Sequence, residues 1–296
     1  MMQSEQLAVL KVDVNGSLVP QDEARVSVFD RGFLYGDGVF ETLRVYRGKP
    51  FRRRRHWERL CRSASLIRLE VPFAEREYNE RLDRVIAVNR LTEAVARVTV
   101  SRGVGPTSLT LNYDQHPTSV FSARPFQGYP EELYRAGAKI IVAATQRNNQ
   151  AALNPEAKCA NYLNSVLARA EAEDAGAFEA IMLNAAGFLS EGSVTNLFMV
   201  RGGGLLTPAL ECGVLPGITR ATVLEIAKDA GLKATEGMLR PEDMIRSDEV
   251  FLTNSTVEIL PVVTVNNERI GTGLPGTVSR TLHRAYRELV RKECST

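Results

Sequence analysis

Apolar and polar positions change period several times along the chain, and each change predicts an element. Residues 7–14 alternate and run into Asn15-Gly16, the dipeptide of a two-residue hairpin turn. A second alternating stretch, Val26-Ser27-Val28-Phe29, predicts another strand. Gly32, Gly36 and Gly38 bracket Tyr35 ahead of a longer strand at 39–46, which ends in the turn residues Arg47-Gly48-Lys49-Pro50. Apolar residues then recur at helical spacing over 54–67 and 74–89, and strands return at 94–101 and 118–123. This first part reads as an α/β sandwich with a mostly antiparallel sheet.

Pro125, Gly128, Pro130 and Gly137 crowd into 125–137, which predicts a linker between a domain of residues 1–124 and one of residues 138–296. The second part opens with a strand at 138–144. From Tyr162 the apolar residues fall at 162, 163, 166, 167 and 170, one face of a buried helix. Buried strands follow at 178–184 and 196–200, with Glu191 in the turn-rich link between them. Glycines at 187 and 202–204 mark hairpins, and Pro216-Gly217 precedes a helix at 218–230. Strands near 249–253 and 260–265 lead to a C-terminal helix from about 276. Strands mixed with helices predict a distorted β-barrel, so the whole reads as a two-domain α+β chain.

Composition narrows the function classes. The 296 residues, 44% hydrophobic and 24% charged with net charge +2, suit a globular enzyme and point to no polyanionic partner. The basic run Arg52-Arg53-Arg54-Arg55 beside Trp57 reads as a solvated helix face rather than a nucleic-acid site. Cysteines at 61, 159, 212 and 294 form no Cys-x-x-Cys, which suits a reducing cytoplasm. The first six residues are polar and acidic, so no signal peptide is expected. No apolar run approaches the ~18 residues of a membrane span. Histidines 56, 116 and 283 have no ligand spacing, and no metal site is expected. Gly271-Thr272-Gly273-Leu274-Pro275-Gly276 fits a dinucleotide-binding glycine pattern, but no strand or acidic ribose partner follows it.

Candidate chemistry centres on Lys158. The chain holds 7 lysines against 30 arginines, so a retained lysine suggests a task that arginine cannot do: losing a proton and attacking a carbonyl. Lys158-x-x-Asn161-Tyr162-Leu163-x-x-Val166-Leu167-Ala168-x-x-Glu171-Ala172, followed by Glu191-Gly192-x-x-x-Asn196-Leu197-Phe198, resembles the class-IV (fold-type IV) pyridoxal-phosphate enzymes. These are the branched-chain and D-amino-acid aminotransferases and 4-amino-4-deoxychorismate lyase. The resemblance spans residues 8–290 or so and implies two domains with pyridoxal 5′-phosphate in the cleft between them.

Roles follow from the resemblance. Lys158 matches the lysine that bonds to the cofactor's aldehyde and then shuttles a proton at the substrate α-carbon. Glu191, in the motif that Asn196 completes, matches the acid at the pyridine nitrogen, and Tyr162, four residues past Lys158, is placed to donate to the phenolic oxygen from the same helical turn. The phosphate falls to Arg59 of His56-x-x-Arg59-Leu60, to the amides of Ile218 and Thr219 at a helix start, and to Ser255 and Thr256. Arg97 and Arg102 are candidates for the substrate carboxylate. They lie an odd number of residues apart, so at most one faces the substrate from a regular strand. Phe33, Tyr35, Phe40 and Arg44 are candidate pocket walls.

The family member stays open between two readings. Tyr129-Pro130-Glu131-Glu132-Leu133-Tyr134 through Glu171-Ala172 looks like branched-chain aminotransferases, yet Val95 replaces a tyrosine and Asn254-Ser255-Thr256 replaces Gly-Thr-Ala. Phe33 to Thr42, Gly213 to Arg220 and Thr253-Asn254-Ser255 look more like aminodeoxychorismate lyases, which release pyruvate and 4-aminobenzoate. Either way the implied partners are small amino acids and oxo acids, and the implied assembly is a homodimer.

Overall fold

Asn15 and Gly16 take φ angles of 51° and 88°, those of the predicted two-residue turn, and close a hairpin of β1 (Lys11–Val14) and β2 (Ser17–Pro20). The computed structural model describes residues 9–295, so residues 7 and 8 of the first predicted strand lie outside the described residues. The chain divides between Gln127 and Gly128 into two compact units.

The first unit continues with α1 (Arg31–Tyr35), β3 (Gly38–Tyr46), β4 (Lys49–Pro50), α2 (Arg53–Leu66), α3 (Glu75–Val88), β5 (Ala94–Ser101) and β6 (Thr118–Pro125). Its strands pair antiparallel throughout, in the order β2-β1-β6-β5-β3-β4. Side chains alternate across a strand. Val39, Leu43 and Val45 of β3 therefore share a face with Ala96, Val98 and Val100 of β5, and this face packs on Leu60 and Ala64 of α2 and on Tyr78, Leu82 and Val85 of α3. The opposite face carries Phe40, Arg44 and Arg97. The expected strand at 26–29 does not form, and Val26, Val28 and Phe29 are exposed. Alternation there finds no neighbouring strand to take its backbone hydrogen bonds; Asp30 alone makes a single bridge to Val104.

The second unit begins with α4 (Glu131–Ala136), a helix inside the stretch expected to be a linker. Tyr134 buries its ring there, which gives α4 a reason to form. Then follow β7 (Ala138–Val142), α5 (Leu163–Asp174), β8 (Glu179–Leu183), β9 (Leu189–Gly192), β10 (Asn196–Arg201), β11 (Gly204–Pro208), α6 (Ile218–Asp229), β12 (Ala234–Gly237), α7 (Pro241–Ile245), β13 (Glu249–Asn254), β14 (Glu258–Val265), β15 (Glu268–Arg269) and α8 (Thr277–Glu293). The nine-stranded sheet runs β12-β11-β10-β13-β14-β7-β8-β9, with β15 paired to β14. It is mixed, with β11–β12, β14–β7 and β7–β8 parallel. The sheet curls until its end strand β9 returns beside β10 and the chain after β12. Gly192 N–H donates to Thr195 O, and Leu189 N–H to Leu239 O, each at 2.7 Å. This is the distorted barrel.

Two expectations for this unit are corrected. Glu191 lies in β9, paired to β8, rather than in a link between strands. The apolar face read from Tyr162 onward points outward: Leu163, Val166 and Leu167 are 69%, 56% and 52% exposed. Ser165, Ala168 and Ala172 face inward instead, because small side chains let α5 sit close against Ala180 and Met182 of β8. No helix among the described residues is long and apolar enough to cross a membrane.

Candidate active site

Lys158 sits half-buried in the loop ahead of α5. A tight bend at 160–162, with Tyr162 N–H donating to Ala160 O at 2.8 Å, carries the chain to the helix start. Tyr162 is the N-cap residue of α5, not part of a shared helical turn with Lys158. The bend still brings the pair together: Lys158 Nζ lies 3.4 Å from Tyr162 Oη and 5.5 Å from the ring centroid.

Glu191 is buried, and both carboxylate oxygens are matched. Arg147 Nη2 lies 2.8 Å from Oε1, while Asn196 Nδ2 and the Leu215 N–H donate to Oε2 at 3.0 and 2.9 Å. Asn196 Nδ2 also donates to Leu215 O at 3.0 Å. Asn196 thus orients the carboxylate. Its Oδ1 comes so near Gly217 that a Cβ there would stand 1.9 Å away, so only glycine fits. Arg147 was not anticipated from the sequence; it reaches Glu191 from the loop after β7, and no local spacing announces it.

Gly217 is the N-cap of α6, and no side chain caps that helix start. Ile218 and Thr219 are buried there. Across β10 and β13, Thr253 lies directly opposite Asn196; its buried hydroxyl has no partner among the described residues. Asn254 shapes the next loop. Its Oδ1 accepts from Thr256 N–H, Thr256 O–H and Val257 N–H at 2.8, 3.0 and 2.8 Å, and its Nδ2 donates to Val194 O at 3.1 Å. Ser255 is half-buried at the tip. Glu179, a second residue missed from the sequence, fixes the facing turn by accepting from Ser193 N–H, Ser193 O–H and Thr195 O–H at 3.1, 2.6 and 3.0 Å. A cleft of about 480 Å³ is lined by Tyr162, Val166, Val194, Thr195 and Thr256, among others.

In the first unit, Glu41 lies on the helix-covered face of β3 and meets two residues of α2. Arg59 Nε and Nη2 donate to its two oxygens at 2.7 and 2.8 Å, and His56 Nδ1 lies 2.6 Å from Oε2. Burial pushes the Glu41 carboxyl up, but the Arg59 and His56 charges and hydrogen bonds outweigh it and bring it down to about 2. Arg97 is exposed and holds its guanidinium 3.8 Å from the centroid of Phe40, which is buried. Arg102 is engaged differently from the expectation. Its five N–H groups go to Asp37 twice, to Arg68 O, to Ile67 O and to Gln115, leaving no donor for a substrate carboxylate. Arg44 Nη1 and Nη2 serve Val45 O, Ala94 O and Glu93. Phe33 is 73% exposed, and Tyr35 Oη donates to Thr107 O at 3.2 Å.

The second unit's donor set fits pyridoxal 5′-phosphate. It offers an amine for an aldehyde, a phenol beside that amine, a buried carboxylate for a ring nitrogen, and an uncapped helix start near an orphan hydroxyl for an anion. Among the described residues, no group of three or more His, Cys, Asp or Glu side chains is arranged to hold a metal ion.

Comparison with known proteins agrees. The family model for class IV amino-transferases matches residues 38–265. A Methanocaldococcus jannaschii protein, provisionally named a branched-chain-amino-acid aminotransferase, is 36% identical over 283 residues, 96% of this chain and 97% of that one. The aminodeoxychorismate lyase of Bacillus subtilis is 31% identical over 280 residues, 94% of each chain. The crystal structure of a branched-chain amino acid aminotransferase from T.th., solved with pyridoxamine 5′-phosphate, matches at TM-score 0.91 and 34% identity, covering 96% of this chain and 95% of that one.

Proposed function

The chain belongs to the class IV aminotransferases, enzymes that use pyridoxal 5′-phosphate, and on that premise we propose that it moves an amino group between a branched-chain amino acid and a 2-oxo acid. The observation that carries the reading is the Lys158–Tyr162 contact at 3.4 Å in the unit that also holds the fully matched Glu191.

Bound there, pyridoxal 5′-phosphate supplies an electron sink for the substrate α-carbon. Lys158 is the amine that would hold its aldehyde, and its Nζ, once the substrate's amine has displaced it, would take and return the proton at the substrate α-carbon. Tyr162 orients that amine and donates to the ring's phenolic oxygen. Glu191 holds the proton of the pyridine nitrogen, while Arg147 and Asn196 hold Glu191. Ile218, Thr219, Ser255 and Thr256 bind the phosphate, and Arg59, which Glu41 holds in place through Nε and Nη2, is its cation. Arg97, exposed with its guanidinium over Phe40, binds the substrate carboxylate, since all five donors of the other candidate, Arg102, are taken. The apolar ring of Phe40 beneath it suits an aliphatic side chain.

The exposed Phe29, Phe33, Tyr35 and Leu109 support a homodimer in which they are covered. The dispersed cysteines support work in the cytoplasm. A second reading, aminodeoxychorismate lyase, is favoured by the Bacillus subtilis relative and by Asn254 at the head of the 254–257 loop. One assay separates them. With leucine and 2-oxoglutarate the purified protein is expected to form glutamate. Release of pyruvate and 4-aminobenzoate from aminodeoxychorismate without any oxo acid, and no glutamate from leucine, would replace the first reading with the second.

A further inference from the structure

The loop assigned above to the phosphate, Ser255-Thr256, runs straight into a strained residue. Glu258, the first residue of β14, has φ of 56°, in the left-handed region that residues with side chains avoid. Such a conformation persists only where its surroundings hold it.

The holding groups come from two helices. Glu258 Oε2 lies 2.7 Å from His283 Nε2 and accepts from Arg287 Nε at 2.9 Å, and these two residues stand one turn apart on α8. Arg287 Nη1 reaches on to Glu131 Oε1 at 2.9 Å, at the start of α4. Tyr134 of α4 stacks on the His283 ring with centroids 4.9 Å apart and lies under the Arg287 guanidinium at 5.3 Å. Its hydroxyl donates to Val257 O at 3.2 Å. Burial pushes the Tyr134 phenol well up, so that hydroxyl stays a donor.

Thus the two residues that follow Thr256 are both gripped, Val257 by its carbonyl and Glu258 by its side chain. Asn254 fixes the other end of the same loop. A brace that served only to bind α8 to the sheet would not need its acceptor on a left-handed residue at the end of that loop.

We propose that Glu258, His283, Arg287 and Tyr134 form a clamp that sets the Ser255-Thr256 loop for phosphate binding. They are positioning residues, and the proposal rests on the phosphate role given to that loop above. The clamp acts through the backbone: it keeps Glu258 left-handed, and the direction of the loop's amides and hydroxyls follows.

The test is titration of the full-length apoenzyme with pyridoxal 5′-phosphate, read as a dissociation constant, on S255A, E258A, E258G and H283F. E258A is expected to weaken binding by about tenfold or more, since alanine resists the left-handed backbone and lacks the clamp. E258G also lacks the clamp but takes positive φ freely, so it recovers at least half of that loss on a logarithmic scale. H283F keeps the stack on Tyr134 and loses the hydrogen bond, and it weakens binding several-fold. Should E258A fail to fold, E258G and H283F decide, each expected between wild type and S255A. E258G binding as poorly as E258A overturns the clamp. So does wild-type affinity in E258A and H283F while S255A binds weakly, which leaves the loop's phosphate role standing. Wild-type affinity in S255A as well overturns both.

Discussion

A buried carboxylate is costly unless every lone pair finds a donor, and Glu191 shows how local that accounting is. Oε2 has two donors that neighbouring strands and turns supply, whereas Oε1 has Arg147. Replacing Arg147 by methionine keeps the stem and removes the cation. The expected result is a loss of about ten- to a hundredfold in kcat/KM, as for a buried charge left without its partner. Because the effect acts through Glu191, the pH titration of the bound cofactor's visible absorbance also moves, and R147K restores part of both. An absorbance titration identical to wild type would remove Arg147 from that role. Lys158 and Glu191 stand out in the sequence as candidates because their neighbours in the chain form a motif. Arg147 and Glu179 do not, since each acts on a partner far away in the chain. Arg102 was legible only as a cation near a strand end; its five committed donors depend on Asp37 and on carbonyls at 67 and 68.

At the scale of elements, period served well for α2, α3, β3, β5 and β6, whose patterns are long and whose buried residues are mostly large and apolar. It misled where small residues do the packing. In α5 the larger apolar side chains are exposed, and the alanines meet Ala180 and Met182. Hydrophobicity scales rank leucine above alanine, but close approach of a helix to a strand selects the smaller residue. A pair of variants tests this assignment. Ala168→Leu is expected to destabilise the protein by about 1–3 kcal/mol through overpacking. Leu167→Ala is expected to change stability by under about 0.5 kcal/mol. Thermal or urea denaturation measures both, and the reverse ranking would restore the leucine face as the inner one. The glycine pattern ending at Gly276 also has a local explanation. Glu249 accepts from Val278 and Ser279 N–H at 2.8 Å each, filling the start of α8 with the chain's own carboxylate. A Cβ on Gly276 would lie 1.8 Å from that carboxylate carbon.

For the molecule as a whole, the charge is nearly balanced, 37 basic side chains against 35 acidic, so response to pH depends on individual carboxylates rather than net repulsion. Both units hold carboxylates depressed in the folded state. In the second, hydrogen bonds from the Thr145 hydroxyl and the Ala144 and Thr145 amides outweigh burial and lower Glu171. In the first, the Arg102 and Arg31 contacts outweigh burial at Asp37, and Glu41 falls from 4.5 to about 2. A carboxyl depressed by folding contributes its full stability above its unfolded value and loses it as pH falls toward its folded value. Glu41 therefore stabilises the chain fully above about pH 4.5 and progressively less down to about pH 2. Urea midpoints of the full-length protein are expected to fall through that window. Glu41→Gln lowers the plateau at neutral pH, because Arg59 and His56 lose a buried counter-charge. It also flattens the acid limb by up to one proton, about 1.4 kcal/mol per pH unit. The flattening is the diagnostic part, since a merely weakened core would lower the plateau and leave the slope unchanged. An acid limb as steep in Glu41→Gln as in wild type would mean that other carboxylates drive acid unfolding and that the Glu41–Arg59–His56 cluster does not govern it.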